Sequence, residues 1–373
     1  LTGSAVVPEA SLFAASLFAY VGCLTTEKRQ GTGDGIGVFR INGRTGAWKP
    51  VGHVGPLVNP SWLLANRAGT RLYVLHADQD FASSFAIDRS SGHLTPMGQA
   101  KAGGVNGVSA KLDASEKFMV MANYGSGQVC VLPVGADGAL GDAVQVVDLP
   151  GQPRPFHRVG HQEKSQPHDI VFDPSGRFVA VPDKGLDRVF VFRFNSRTGR
   201  LSPAGKGGFV DARDGAGPRH VSFHPRLPVA WVLSELDSTL TTYAWNGKTG
   251  TLTPVEVTLT LPGDYTAGNQ TSEIAFVART NTLYVSNRGH NSLTVFRVNR
   301  TTGHPSLIGW QGTLGKGPRF FDLDPAGRFL YAANLRSHDI RRFAVDARSG
   351  ALTPAGRAAA TPSPCAIVFV AGE

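Results

Sequence analysis

The stretch Gly215–Leu236, GAGPRHVSFHPRLPVAWVLSEL, reads as two β-strands and the turn between them. Val221 and Phe223 alternate with neighbours of other character, and Val229 to Leu233 is a continuous apolar run. His224-Pro225 through Pro228 interrupt the ladder, because proline fixes φ and has no amide proton to give. In an antiparallel hairpin the first residues of one strand lie beside the last residues of the other. Arg219 and His220 therefore arrive at the same edge as Glu235. A guanidinium, an imidazole and a carboxylate at one open end form either a structural ion pair or part of a site.

With 373 residues the chain can bury a large core, and length alone suggests two or three domains. Composition argues for one closed β architecture instead: 45 glycines and 24 prolines with only 17% charged residues describe an ordered, turn-rich β protein. The formal net charge is +9. Lysines and arginines are scattered singly, without a basic stripe or helix, so we expect no nucleic-acid partner but a small anionic ligand. The apolar stretch 11–24 falls short of the about 20 residues that span a bilayer, and no membrane is expected. The chain begins with Leu1 rather than Met, which leaves a cytoplasmic location or a periplasmic one after removal of an export signal. Cys23, Cys130 and Cys365 match no metal-ligand spacing, and neither a metal nor another cofactor is expected.

Around the hairpin the same pattern recurs. A short turn of the form Thr/Ser/Asp-Gly followed by a strand places glycines at Gly46, Gly92, Gly138, Gly199, Gly250, Gly303 and Gly350. Before each turn lies a strand such as Val189–Arg193 or Leu293–Arg297, and before that a more apolar one such as Phe178–Val181 or Leu330–Ala333. Each unit opens near Pro60, Gly107, Pro167, Pro218, Ser272, Pro318 or Pro364. Four strands per repeat of about fifty residues is the sequence signature of a β-propeller, and seven repeats make seven blades. No helical period separates the strands, which excludes a TIM barrel. The chain starts on a second strand (Leu17–Val21) and finishes on a first strand (Cys365–Val370), so the termini complete one shared blade and leave no open edge. We read residues 1–16 as an extension and 17–373 as a single all-β, seven-bladed propeller domain, monomeric or weakly dimeric.

First-strand starts and second-strand ends face one mouth of the central channel. They bring together His168, Arg219, His220, Arg319, His76, Asn123, Asp183, Glu235, Arg288 and Asn334. Asn and Asp after a strand commonly bond their own backbone, whereas three arginines at one mouth repel unless an anion or carboxylates sit among them. The longest repeat carries residues 151–166 over the same rim as a candidate lid. Cys23 and Cys365 fall on adjacent strands of the shared blade. A disulfide would close almost the whole chain, and two buried thiols are the other outcome.

Ten motifs spread from Tyr20 to Phe369 carry a resemblance to the seven-bladed propeller lactonase family, bacterial 6-phosphogluconolactonases and carboxymuconate-lactonizing enzymes among them. They are YVG at Tyr20, NPS at Asn59, ANYGSG around Asn123, PHDIVFDPSGRF at Pro167, DKGLDRV at Asp183, GAGPRH at Gly215, SELDST at Ser234, SNRGHNS at Ser286, GPRFF at Gly317 and the closing PSPCAIVF. The resemblance implies an active site of one histidine, two arginines and one glutamate, which fall on His168, Arg219, Arg288 and Glu235. Three departures are visible: Gln166 replaces the first histidine of a His-x-His pair, His76 replaces a glutamate, and Lys184 interrupts an Asp-Leu-Gly motif.

The expected function is metal-independent hydrolysis of a small anionic sugar lactone. His168 or Glu235 would serve as base, Arg219 and Arg288 would stabilise the oxyanion, and Arg319 with His220 would complete the anion site. His76, Asn123, Asp183 and Asn334 are candidate substrate contacts. Lactonization of a muconate-type diacid and non-catalytic ligand binding are the alternatives.

Overall fold

The computed structural model describes residues 16–373 apart from Lys206, so the expected 1–16 extension lies, but for Ser16, outside the described residues. Seven antiparallel sheets are arranged in a ring, each with its first strand innermost. Blade 1 is the shared one, with Pro364–Ala371 pairing Leu17–Cys23, then Ile36–Ile41 and Trp48–Val54. Its register, Leu17 opposite Ala371 through Gly22 opposite Ala366, closes the ring as the two chain ends imply. Blades 2 to 7 begin at Pro60, Gly107, Val171, Pro218, Gln270 and Pro318. Blade 4 departs from the four-strand pattern. Its innermost strand is only Val171–Phe172, and two short strands, Arg200–Pro203 and Phe209–Asp211, share the outer edge of Arg188–Asn195.

The recurring turn glycines fasten each blade to the one before it. All seven have φ between +67 and +83, a region that favours glycine. A Cβ at Gly92 would stand 2.6 Å from the Phe18 ring of blade 1, and one at Gly199 would stand 2.4 Å from Phe118 of blade 3. Where the preceding blade supplies a tyrosine or tryptophan, its polar tip donates to the turn glycine's carbonyl: Tyr20 to Gly92 (3.0 Å), Tyr73 to Gly138 (3.0 Å), Trp231 to Gly303 (3.0 Å) and Tyr331 to Gly46 (2.9 Å). A fully buried aromatic thus directs its one polar group to the neighbouring blade. The seven-fold glycine repeat in the sequence is therefore an inter-blade contact as well as a turn.

All three cysteines are free and buried, so the Cys23–Cys365 bond is not formed. Cys23 pairs with Pro364, and a register shift leaves Cys365 as the extra residue of a bulge. The Cys365 thiol faces the Gly22 carbonyl at 3.4 Å, whereas Cys23 lies 3.8 Å from the Thr361 hydroxyl. Burial pushes the Cys23 thiol up to about 11 and the Cys365 thiol up to about 12, leaving both protonated and inert.

Gly92→Ala tests the fastening. Gly160 has a similar φ of +80 with nothing within 4 Å of a built Cβ, so Gly160→Ala measures the backbone cost alone. Gly92→Ala should lower stability by a further 1–3 kcal/mol or so, the usual overpacking penalty, in urea titrations. Equal midpoints for the two variants would remove the contact from the account.

Candidate active site

Two rings of side chains, one from each blade in turn, build the mouth. The first comes from a bulge at the start of each innermost strand. Register shifts between Pro60 and Trp62, Gly107 and Ser109, Pro218 and His220, and Pro318 and Phe320 leave Ser61, Val108, Arg219 and Arg319 unpaired. In blade 4 the bridge Pro167–Asp183 is followed by Val171–Ala180, so His168 lies in a segment of three residues opposed by two. Bulges bend the strand and re-aim a side chain. Ser61, Val108, His168 and Arg319 line a cavity of about 590 Å³.

The second ring comes from the end of each second strand: Leu24, Ala77, Tyr124, Lys184, Glu235 and Leu335 just past it and Arg288 as its last residue, all of which line the same cavity. Strand side chains alternate between faces, so the residue before each of these turns into its blade. This moves the four expected substrate contacts on by one residue. His76 is held by the Val58 carbonyl (2.7 Å) and the Ser83 hydroxyl (2.8 Å). Asn123 donates to the Ala102 carbonyl (3.1 Å) and to Cys130 Sγ (3.0 Å), and Asn334 donates to the Thr313 carbonyl (3.2 Å) and to Asp339 (3.1 Å). Asp183 accepts from the amides of Gln166, Gly185 and Leu186 and from the Ser165 hydroxyl; burial pushes its carboxyl up to about 6. None of the four lines the cavity.

Glu235 is the electrostatic centre. Its Oε2 lies 2.9 Å from Arg219 Nε and 3.0 Å from Arg288, while Oε1 lies 3.3 Å from Lys184. Burial alone would raise its pKa, but Arg288, Lys184, Arg219 and Arg319 together hold it well below the carboxylate range. Glu235 is thus a fixed counter-ion with little basicity. Arg219 is buried rather than exposed to the cavity, and burial with the nearby Arg288 pushes it down to about 9, still protonated at neutral pH. It also donates to His220 Nε2 at 2.8 Å. With Nε2 accepting, the His220 proton sits on Nδ1 and is given to Glu273 at 2.8 Å. His220 therefore orients Arg219 from beneath and does not line the cavity.

The sequence holds Arg219 in place from behind. Asp187 accepts from the amides of Gly215 and Gly217, each at 2.7 Å, which pins the loop before the bulge. Gly217 has φ +66, and a Cβ there would stand 2.7 Å from the Leu236 side chain. Residues 151–166 do not line the cavity. Gln162, fully buried, donates to the Lys184 carbonyl (2.7 Å) and to Asp187 (2.8 Å), so the expected lid is a brace.

His168 lines the cavity with Nδ1 buried and without a hydrogen-bond partner, which leaves Nε2 as the nitrogen open to it. Burial and the charges of Arg219, Arg319 and Lys184 hold its pKa well below that of an ordinary histidine, so it is neutral at pH 7. Arg288 commits one nitrogen to Glu235 and to the Thr271 carbonyl (2.8 Å), and its Nε has no partner among the described residues. Arg319 makes no side-chain hydrogen bond or ion pair with the described residues. Farther out stand Lys28 and Arg29, both paired with Asp78, together with Lys316 and Arg336. Sequence reasoning missed these loop residues and Tyr124, and had marked Lys184 only as a departure. Seven cations and one carboxylate thus line the described cavity.

The family model for the seven-bladed β-propeller lactonases matches residues 18–369. A 6-phosphogluconolactonase of Bacillus subtilis is 31% identical over 353 residues, 94% of this chain and 98% of the relative. One from Formosa agariphila is 28% identical, over 88% of this chain and 92% of its own. The solved structure of a periplasmic gluconolactonase from Pseudomonas aeruginosa superposes with a TM-score of 0.88 at 29% identity, covering 96% of this chain and all of that one. With its ring closed through the termini and its two rings of mouth residues, the chain belongs to the seven-bladed β-propeller lactonase family.

Proposed function

We propose that the protein hydrolyses a small anionic sugar lactone, of the 6-phosphogluconolactone type, without a metal ion. The observation that carries this reading is a histidine kept neutral beside two arginines with unused donors. His168 Nε2 takes a proton from water, the water oxygen adds to the lactone carbonyl, and the resulting oxyanion meets Arg288. Preorganised donors in a water-poor mouth stabilise such charge more than bulk water does. Arg319 holds the substrate's anionic group, since a guanidinium suits bidentate recognition of carboxylate or phosphate. The charge of the lining supports metal independence, because Glu235 is already shared among three cations. The names of the relatives support the sugar-lactone class. Likeness to a periplasmic enzyme supports the periplasmic option for its location. Among the described residues no helix is long and apolar enough to cross a membrane.

The test is a panel of phosphorylated, carboxylated and neutral lactones assayed by acid release, with muconates alongside. Turnover confined to muconates would transfer the site to lactonization. His168→Ala should lower kcat by about 10²–10⁴-fold, the range of a lost acid–base group, with an unchanged circular dichroism spectrum. The base form of His168 is required and its pKa is depressed, so kcat/KM should rise with pH along a limb centred below about 6.5, the ordinary histidine value. A limb centred above that value would sink the assignment.

Arg319→Ala should raise KM for an anionic lactone at least about tenfold more than for a neutral one, because it deletes one charge-assisted contact. Equal losses on both would remove Arg319 from the anion site. Glu235→Gln should destabilise the fold by about 3–5 kcal/mol, the cost of leaving buried cations without their partner. The linkage runs with the depressed carboxyl. The wild-type advantage is full above about pH 4.3, the unfolded value, and disappears as pH falls through the lower folded value. Denaturant midpoints of the two proteins should converge in acid, and a pH-independent difference would contradict the counter-ion role.

A further inference from the structure

Hydrolysis of a lactone releases an alkoxide, and the proton it takes comes either from the imidazolium formed on His168 or from a separate acid. Arginine does not give up a proton at working pH. Glu235 is ionised, and His168 starts neutral and carries a proton only after the water has added. Tyr124 is the uncommitted donor. It follows Asn123 at the end of its strand, its amide bonds to the Asn106 carbonyl at 3.0 Å, and its side chain lines the cavity. Lys184 Nζ stands 3.0 Å from the Tyr124 hydroxyl, 5.4 Å from its ring centroid and 3.3 Å from Glu235. An ammonium has three donors and no acceptor, so the direction is fixed: Lys184 donates and the phenolic oxygen accepts. The hydroxyl's own proton has no acceptor among the described residues and is left for whatever the cavity binds. The Tyr124 ring meets the His168 ring edge-on, 5.5 Å between centroids, so base and hydroxyl flank the same volume.

The geometry points to Tyr124 as a further catalytic residue, the general acid for the leaving ring oxygen, with Lys184 as its positioning partner. This assignment rests on the lactonase reading. His168 Nε2 accepts a proton from water as the water oxygen bonds to the carbonyl carbon. The tetrahedral adduct then collapses, the bond between that carbon and the ring oxygen breaks, and the ring oxygen takes the phenolic proton. Tyr124 is left as phenolate against the Lys184 ammonium, and the proton held by His168 returns to it. The product acid ionises to solvent. Lys184, visible in the sequence only as an interruption of the Asp-Leu-Gly pattern, thereby couples the Glu235 counter-ion to the acid.

Tyr124→Phe removes one oxygen and keeps the ring packed on His168, so folding should be intact by thermal melt. The measurement compares this variant with wild type on a sugar lactone and on its ring-sulfur analogue. The analogue has nearly the same shape but leaves as a thiolate, which needs no proton at neutral pH. We expect kcat to fall about 100-fold on the oxygen lactone, within the range for a general acid, and less than about fivefold on the sulfur analogue. Lys184→Met should show the same leaving-group dependence. Equal losses on both substrates would place the hydroxyl at the carbonyl oxygen and overturn the assignment, as would no loss on either. A wild-type protein that binds both compounds and turns over neither would remove the lactonase reading itself, a result separate from any difference between variants.

Discussion

The ion cluster at Glu235 is the constraint on which the mouth depends. One carboxylate, itself buried, pairs with Arg219, Arg288 and Lys184, which come from three different blades. Taking four charges out of water is expensive, and such clusters are seldom a source of net stability. What this one provides is placement. Arg219 is fixed by Glu235 on one side and His220 on the other, and His220 by Glu273 of the next blade. These links cross between blades, so the ring must be closed before the site exists. The cluster also sets the ionisation of its neighbour. Burial first, and then the excess of cations over Glu235, keeps His168 unprotonated.

Much of this could be read from the residues because turn chemistry and strand edges are local. Seven turn glycines, prolines at strand starts and apolar second strands specify the blades and their closure. Charged residues beside apolar runs pointed to His168, Arg219, Glu235, Arg288 and Arg319, since an ionisable group there needs a reason. Two things were not legible. A bulge inserts one residue into a ladder without changing the type of residue on either side, so the re-aiming of Ser61, Val108 and Arg319 is visible only in the register. Strand alternation then makes a one-residue error complete. His76, Asn123, Asp183 and Asn334 close hydrogen bonds inside their blades while Ala77, Tyr124, Lys184 and Leu335 face the cavity. The outer cations come from connections between strands, Lys28 and Arg29 from a single 3-10 turn and Lys316 and Arg336 from loops, whose paths no periodicity predicts.

The two-ring construction also explains how a fold this repetitive can hold an asymmetric site. Each blade contributes side chains from the bulge in its first strand and from the end of its second, and the turn glycines that fasten the blades belong to neither set. Leu24, Ala77 and Leu335 occupy the same ring as Tyr124, Lys184, Glu235 and Arg288, so one side of the mouth is apolar in its second ring and the other side carries the charges. The polar arc runs over blades 3 to 6, and it is on this arc that residues 151–166 supply Gln162 as a brace. Chemistry can change by substitution in the rings while the turn glycines and inter-blade aromatics stay as they are. The fold therefore argues for a mouth, and only the particular ring residues argue for what it does. In this chain those residues combine a neutral imidazole, guanidinium donors without partners among the described residues and a phenol whose oxygen accepts from a lysine.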